Sequence, residues 1–277
     1  MVSEDNTVIV ETIEDLISDI GTGPLMIHAD LLRATFGRKQ SLSSHIEILT
    51  KVGPDRILWM PSFNYGFIKN RKFDVQNDVS EVGPLTEFFR TTQSHWRTST
   101  PIFSFSGTGP LPRIDSVTDI DPFGSSSIFA ELVHLDGVVL FYGAPFSSAT
   151  ILHYAERETG GPAYRYDKLF PGQIFQKDGS SKEVTLLYHV RPQDRWQDYD
   201  WPRLLSEAIA SGVCRVWEHD RTRLIAVSAR KLTTFWADML TQDPLYFLDP
   251  CSRHWVEPML DRLGRRFELS DFEPSST

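Results

Sequence analysis

An α/β fold in three layers, with helices on both sides of a largely parallel central sheet and a possible bilobed outline, is the architecture the sequence predicts. Two patterns carry that expectation. Short, wholly apolar runs of strand length alternate with amphipathic stretches, and the amphipathic stretches open on capping residues and close at glycine. The apolar runs "PLMIHA" (24–29), "RILWMPSF" (56–63), "PIFSFSG" (101–107) and "GVVLFYG" (137–143) read as buried strands. Between them, "SLSSHIEILTKVG" (41–53) starts with capping serines and ends at Gly53, and "GPLTEFFRTTQ" (83–93) has the same helical spacing. After residue 180, "KEVTLLYHV" and "SGVCRVWEHDRTRLIAVSARKL" suggest further strands and a closing helix around 228–240. Aromatic residues make up 12% of the chain and are spread along it, so a single domain over 1–270 with a flexible tail at 271–277 is expected.

Charge and cysteine content remove several classes of function. With 277 residues and 40% hydrophobic content the chain can bury a large core. A formal net charge of −9 argues against a general nucleic-acid partner. Cys214 and Cys251 lie far apart with no CxxC or paired-histidine spacing, which disfavours a disulfide scaffold and a structural metal site. No apolar run approaches the roughly 18 residues of a membrane span, and the acidic N-terminus has no signal-peptide pattern. A cytoplasmic protein with no metal and no membrane partner is expected. Oligomeric state is not readable. The pentapeptide "GTGPL" occurs at 21–25 and 107–111 with unmatched flanks and without the third glycine of a dinucleotide loop. There is no GxSxG elbow, HExxH or phosphate-binding P-loop.

Four stretches carry candidate chemistry. At 137–157 a buried strand, the loop "GAPFSSA" and the helix "TILHYAER" form a strand–turn–helix unit, whose loop belongs at the carboxyl edge of the sheet where ligands bind. Helical spacing places Thr150, His153 and either Glu156 or Arg157 on one face, making His153 a candidate general base; a half-buried histidine bonded to a carbonyl is the alternative. "MPSFNYGFIKNRKFDV" (60–75) offers Asn64, Tyr65, Phe73 and Asp74 as a wall for a sugar, or as loop aromatics covering the core. "DPFGSSSIFAEL" (121–132) supplies three possible N-cap serines, and "RWQDYDWPRLL" (195–205) gathers Asp198, Tyr199 and Asp200 before a helix.

Taken together, "MIHADLL" (26–32), "LWMPSFNY" (58–65), "VGPLTEFFR", "PIFSFSGTG" (101–109), "FGSSSIFAEL" (123–132) and "LFYGAPFSSATILHYAE" (140–156) resemble the aminoglycoside 3-N-acetyltransferase family, in the family's order. The resemblance covers roughly 24 to 240. It implies acyl transfer from an acyl-CoA co-substrate to an amine, with His153 as general base and Thr150 near the acyl-transfer centre. It also implies that Ala29, Asp30, Leu31 and Ser104 lie against CoA. Where relatives orient the histidine with an aspartate six residues earlier, this chain has Ser147, and Gln197 stands at a second acidic position. Thr100 and Phe103 replace two histidines of an "HPxHS" stretch. "HYAERETGGPAYRYDKLFPG" instead resembles a branch found among surface-glycan enzymes, which implies an amino group on a nucleotide-linked deoxy sugar. Tyr164, Arg165 and Lys168 would then meet the substrate, with the two cations on a diphosphate. Glu156, Asp198 or Asp200 is expected to orient His153. Two other readings are an aminoglycoside acetyltransferase and a non-catalytic binder of CoA and sugar.

Overall fold

The computed structural model describes residues 4–273 except 35, 37–38, 54 and 115–118. Its centre is a parallel trio of short strands, β1 (Leu25–Ala29), β2 (Leu58–Pro61) and β7 (Val138–Tyr142). β1 pairs in parallel with both neighbours, Leu25 opposite Leu58 on one side and Val138 on the other. Two antiparallel pairs extend the sheet: β5 (Phe105–Gly107) and β4 (Trp96–Arg97) beyond β2, and β11 (Thr222–Ser228) and β10 (Cys214–His219) beyond β7. The seven-stranded order is β10-β11-β7-β1-β2-β5-β4.

The α/β class thus holds, and the sheet is mixed, with parallel pairing confined to the centre. Apolar runs identify strands without giving their direction. Parallel neighbours need a crossover, which α2 (Leu42–Lys51) supplies between β1 and β2. β10 and β11 are joined by Asp220 and Arg221 alone, with Asp220 in the left-handed region (φ 51°), so they form a hairpin.

Alternation along each central strand divides the side chains between two cores. Leu25, Ile27, Val138, Leu140 and Tyr142 face one way and join Ile13, Ile48 and Phe89 from α1 (Glu4–Ile17), α2 and α4 (Pro84–Thr92). Met26, Val139 and Phe141 face the other way and join Phe129, Ala155 and Trp236 from α5 (Ile128–His134), α6 (Leu152–Glu158) and α8 (Ala229–Gln242). Because both faces are covered, the strands read as continuous apolar runs.

A second, four-stranded sheet supplies the bilobed character. Its order is β3 (Lys72–Asp74), β8 (Tyr166–Phe175), β9 (Ser181–Val190), β6 (Asp119–Ile120), with β8 and β9 forming a ten-residue antiparallel hairpin. Phe170, Ile174, Val184 and Leu186 bury one face of that hairpin in the core shared with α6. The remaining helices, α7 (Trp201–Ala210) and α9 (Pro250–Leu263), close the C-terminal part. Part of the stretch expected to be a flexible tail is packed. Phe272 stacks on Tyr166 at 5.4 Å and the Glu273 carboxylate accepts from Tyr166 at 2.7 Å, so 271–273 are packed, while 274–277 lie outside the described residues. Among the described residues no helix is long and apolar enough to cross a membrane.

Candidate active site

The site forms where β7 leaves the sheet. Gly143 turns the chain with φ +73°, and a Cβ there would lie 2.3 Å from the Asp30 carbonyl oxygen, so only glycine lets the loop pass β1 so closely. A 3₁₀ turn at Phe146–Ser148 follows, and then α6. His153 sits in the first turn of α6, and Glu156 lies one turn further on the same face.

Glu156 is completely buried and is the hub of the site. Its Oε2 lies 2.8 Å from His153 Nδ1 and 3.0 Å from His189 Nε2 on β9. Its Oε1 accepts from the Tyr164 hydroxyl at 2.7 Å and the Tyr199 hydroxyl at 2.6 Å. Burial alone would push this carboxyl up, but the two histidines and Arg165 outweigh it and hold Glu156 well below the usual carboxylate range. An ionised carboxylate only accepts, so the ring nitrogens that face it carry hydrogen: Nδ1 of His153 and Nε2 of His189.

That assignment fixes what each histidine can do. His153 keeps the lone pair on Nε2, which makes no hydrogen bond to the described residues, and its side chain is 15% exposed. Burial lowers its pKa from the ordinary value, against the opposing pull of Glu156, so the ring is neutral at pH 7. His189 is fully buried, its Nδ1 has no partner, and burial lowers its pKa to about 4. His153 thus keeps an open acceptor nitrogen, whereas His189 serves as a buried donor to Glu156. Phe123 packs against both, with centroids at 5.1 Å and 5.4 Å. Phe103 packs in turn on Phe123 and Tyr188.

His153 forms part of the wall of two cavities. The smaller, about 300 Å³, is lined by His28, Ala29, Phe63, Tyr65, Ser147 and Thr150 among others, with no carboxylate or permanent cation among the described residues. The larger, about 850 Å³, is lined by Arg71, Arg165, Lys168, Arg191 and Arg195 with Tyr188, Trp196 and Gln197, and its one acid among the described residues is Asp194.

These positions sort the residues expected from sequence. Thr150, Tyr65 and Ala29 reach the small cavity, and Arg165 and Lys168 the large one. Tyr164 is fully buried and faces Glu156 rather than a cavity. Asp30 accepts from the Leu32 N–H at 3.0 Å, and Leu31 packs against the core beneath α1 and α2; neither lines either cavity. Ser104 is fully buried, donating to the Ser62 carbonyl at 2.6 Å and accepting from Arg97 at 3.1 Å, so it ties two loops together and is closed to CoA. Asn64 bonds the Val79 carbonyl and the Gly66 N–H, Phe73 is buried beneath Arg97, and Asp74 holds the turn at Gln76 and Asn77; none of these three lines either cavity. The Thr150 N–H donates to the Ser148 carbonyl at 2.7 Å and is therefore not a free donor for an oxyanion, although its side chain reaches the cavity. Asp200 caps α7 and Asp198 accepts from Trp201, which leaves Glu156 as the acid on His153.

His189 completes the hub without having been singled out, and Tyr199, named from sequence only within the 195–205 cluster, joins it through its hydroxyl. His189 lies within a run that reads as an ordinary strand, and only pairing of β8 with β9 brings it to Glu156. His153 Nδ1, Glu156 Oε2 and His189 Nε2 lie within 4.8 Å of one another and are chemically able to ligate a metal. A metal would have to replace both protons that these rings share with Glu156.

The aminoglycoside 3-N-acetyltransferase family model matches residues 26–241, and the chain belongs to that family. Over 86 residues it is 35% identical to aminoglycoside N(3)-acetyltransferase VIII of Streptomyces fradiae, a stretch that spans 30% of each chain. Among solved structures it is similar to aminoglycoside acetyltransferase AAC(3)-Xa (TM-score 0.70, 21% identity, covering 86% of this chain and 92% of that one). It is likewise similar to AAC-IIIb in its binary complex with CoASH (TM-score 0.66, 21% identity, 84% and 96%). At these identities the structural likeness establishes the fold.

Proposed function

We propose that this chain is an acyl-CoA-dependent N-acyltransferase that acylates the amino group of an amino sugar, with His153 as general base. The observation that carries this is the neutral imidazole held by Glu156 through Nδ1, with its free Nε2 between two cavities. Amino-sugar ammonium groups titrate near the α-amino reference of about 8, so an imidazole can accept the proton at neutral pH. The resulting imidazolium is stabilised by the buried charge of Glu156, itself fixed by two tyrosine hydroxyls and His189.

The small cavity suits the thioester end of CoA. Its walls include Pro61, Phe63, Ala144 and Ala149, with no carboxylate among the described residues to repel a developing oxyanion; the Thr150 hydroxyl donates to the Ser148 carbonyl at 3.3 Å and would have to turn from it to serve as a donor. Bound there, CoA supplies the activated acyl group. Neither cysteine lines either cavity, and burial pushes the Cys214 thiol up to about 12, so direct transfer is favoured over an acyl-enzyme.

For the acceptor, the family and the names of the relatives point to aminoglycosides, and these are the first amines to test. A nucleotide-linked deoxyamino sugar, the substrate of the surface-glycan branch, is the second reading. The cations of the large cavity favour it, since a polycationic antibiotic would be repelled there.

The deciding experiment follows thiol release from acetyl-CoA with both acceptor classes, for wild type and His153→Ala. Turnover that falls by at least about 10²-fold in the variant, with CoA still bound, is the expected result. Equal activity of the two proteins on any amine would overturn the mechanism. Normal CoA binding without turnover on any acceptor would make the chain a non-catalytic binder.

A further inference from the structure

The large cavity has a charge pattern that catalysis at His153 does not require. The chain has 37 acidic and 28 basic residues, yet among the described residues five cations and a single acid line this one space. The cations converge from four segments: Arg71 follows α3 (Phe67–Asn70), Arg165 and Lys168 flank the start of β8, Arg191 follows β9, and Arg195 belongs to the loop before α7. No run of basic residues in the sequence produces this; the second sheet assembles it.

Partners account for only part of the charge. Lys168 is paired with Glu273 and Arg195 with Asp194 at 3.7 Å. Arg165 is 94% buried, donates to the His189 carbonyl, lies over the Tyr199 ring and leaves Nε without a partner. Arg71 rests on Phe170 with a buried, unpartnered Nη1, and Arg191 lies over Trp196. Among the described residues no carboxylate lies within 4.0 Å of Arg71, Arg165 or Arg191. Guanidinium groups left open around one cavity match phosphate oxygens bidentately. At about 850 Å³ the space is near the upper end for a small-molecule site, and Tyr188 and the exposed Trp196 add flat ring surface.

We propose that this cavity is a phosphate-binding subsite for the acceptor, so that the amine reaching His153 belongs to a sugar carrying a phosphate or diphosphate ester. Arg71 and Arg191 are its specificity residues, and Arg165 joins it to the catalytic hub. The proposal rests on the acyltransferase reading for the identity of the amine, but not for the anion site itself.

Phosphate chemistry could enter from the acceptor or from CoA, and the test separates them. Binding of inorganic pyrophosphate and, separately, of CoA is measured by calorimetry for wild type, Arg191→Glu and the double variant Arg71→Gln/Arg191→Gln. Circular dichroism verifies folding; the exposed Arg191→Glu alone serves if the double variant is unstable. Pyrophosphate should bind the wild type, bind with CoA already present, and lose at least about tenfold affinity in the variants, as expected when charge-assisted contacts are removed. In turnover, glucosamine 1-phosphate should exceed glucosamine in kcat/KM, and the variants should erase that preference. Competition between pyrophosphate and CoA, with equal loss of both in the variants, would assign the cavity to CoA and overturn the proposal. Absence of pyrophosphate binding to the wild type would also overturn it. Pyrophosphate binding in a protein that turns over no amine would refute the acyltransferase reading while leaving the anion site standing.

Discussion

The two cavities that meet at His153 are built from opposite materials. One is small, uncharged and walled by the carboxyl ends of the central strands; the other is large, cationic and walled by the second sheet and the loop after it. The difference teaches how one histidine can face two unlike spaces. Its ring belongs to α6, whose position is set by β7 and the Gly143 turn on the first side. Its protonation state is set by a carboxylate that β9 and the 197–201 segment satisfy from the second. The central sheet places the base and the second sheet tunes it.

Glu156 is where that division can be broken most completely. In Glu156→Gln the side-chain amide can donate to His153 Nδ1, which favours the tautomer carrying hydrogen on Nε2 and removes the lone pair facing the substrates. Turnover should fall by about 10²–10⁴-fold with every acceptor, a loss comparable to that from putting the wrong tautomer in a catalytic triad. CoA binding should hold, since Glu156 lines neither cavity. Steady-state kinetics with partial rescue by Glu156→Asp distinguishes this from unfolding. Undiminished kcat in Glu156→Gln would mean that something other than Glu156 orients the ring.

How much of this was legible in the sequence follows the same line. The first lobe was readable because its signals are local. The apolar runs at 24–29, 56–63 and 137–143 became β1, β2 and β7, and Ser41 caps α2 through the Ser44 N–H at 3.1 Å. The strand–turn–helix unit at 137–157 and the His153–Glu156 pair one turn apart were likewise local facts. Helices α1 and α9 were passed over for different reasons. α1 buries Ile9, Ile13, Leu16 and Ile17 at helical spacing, a signal that was present, whereas α9 carries Pro258 within it, which disrupts the reading despite a good cap at Asp249 and a closing Gly264. The second lobe was hidden because its meaning is long-range. Nothing near His189 marks it as a partner of Glu156, 33 residues away, and Arg71 meets Arg191 at one cavity only after β3, β8 and β9 pair. The burial of Ser104 was hidden for the opposite reason: a hydroxyl in a family-like stretch says nothing about its burial.

Buried histidines on both lobes give the comparison a thermodynamic form. His28 on β1, stacked on Phe141 at 5.4 Å, and His189 on β9 are each held by burial at about 4 instead of the ordinary 6.5. The folded state therefore binds fewer protons than the unfolded chain between about pH 4 and 6.5, and stability must fall as pH falls through that window. Glu156, held low by its partners against its burial, acts in the same direction at still lower pH. Each histidine accounts for about 2 kcal/mol between pH 7 and 5. Urea midpoints measured across that range should rise with pH, and His28→Phe, which keeps a stacked ring without a titrating nitrogen, should flatten the rise. A pH-independent midpoint in the wild type would refute the buried, neutral assignment of both rings.

The smallest expected effect is the one that separates the cavities most cleanly. Ser147 lies on the wall of the small cavity, is exposed, and stands where relatives are expected to carry an aspartate. Ser147→Trp adds bulk there without touching Glu156 or any cation of the large cavity. If the thioester enters through the small cavity, KM for acetyl-CoA should rise about tenfold, corresponding to about 1.4 kcal/mol. Pyrophosphate affinity should stay at the wild-type value, because the two cavities share His153 alone among their lining residues. The opposite pattern, weakened pyrophosphate with unchanged acetyl-CoA kinetics, would exchange the assignments: acceptor in the neutral cavity, CoA among the cations. His153 would remain the base in either arrangement, since its ring forms the boundary between them.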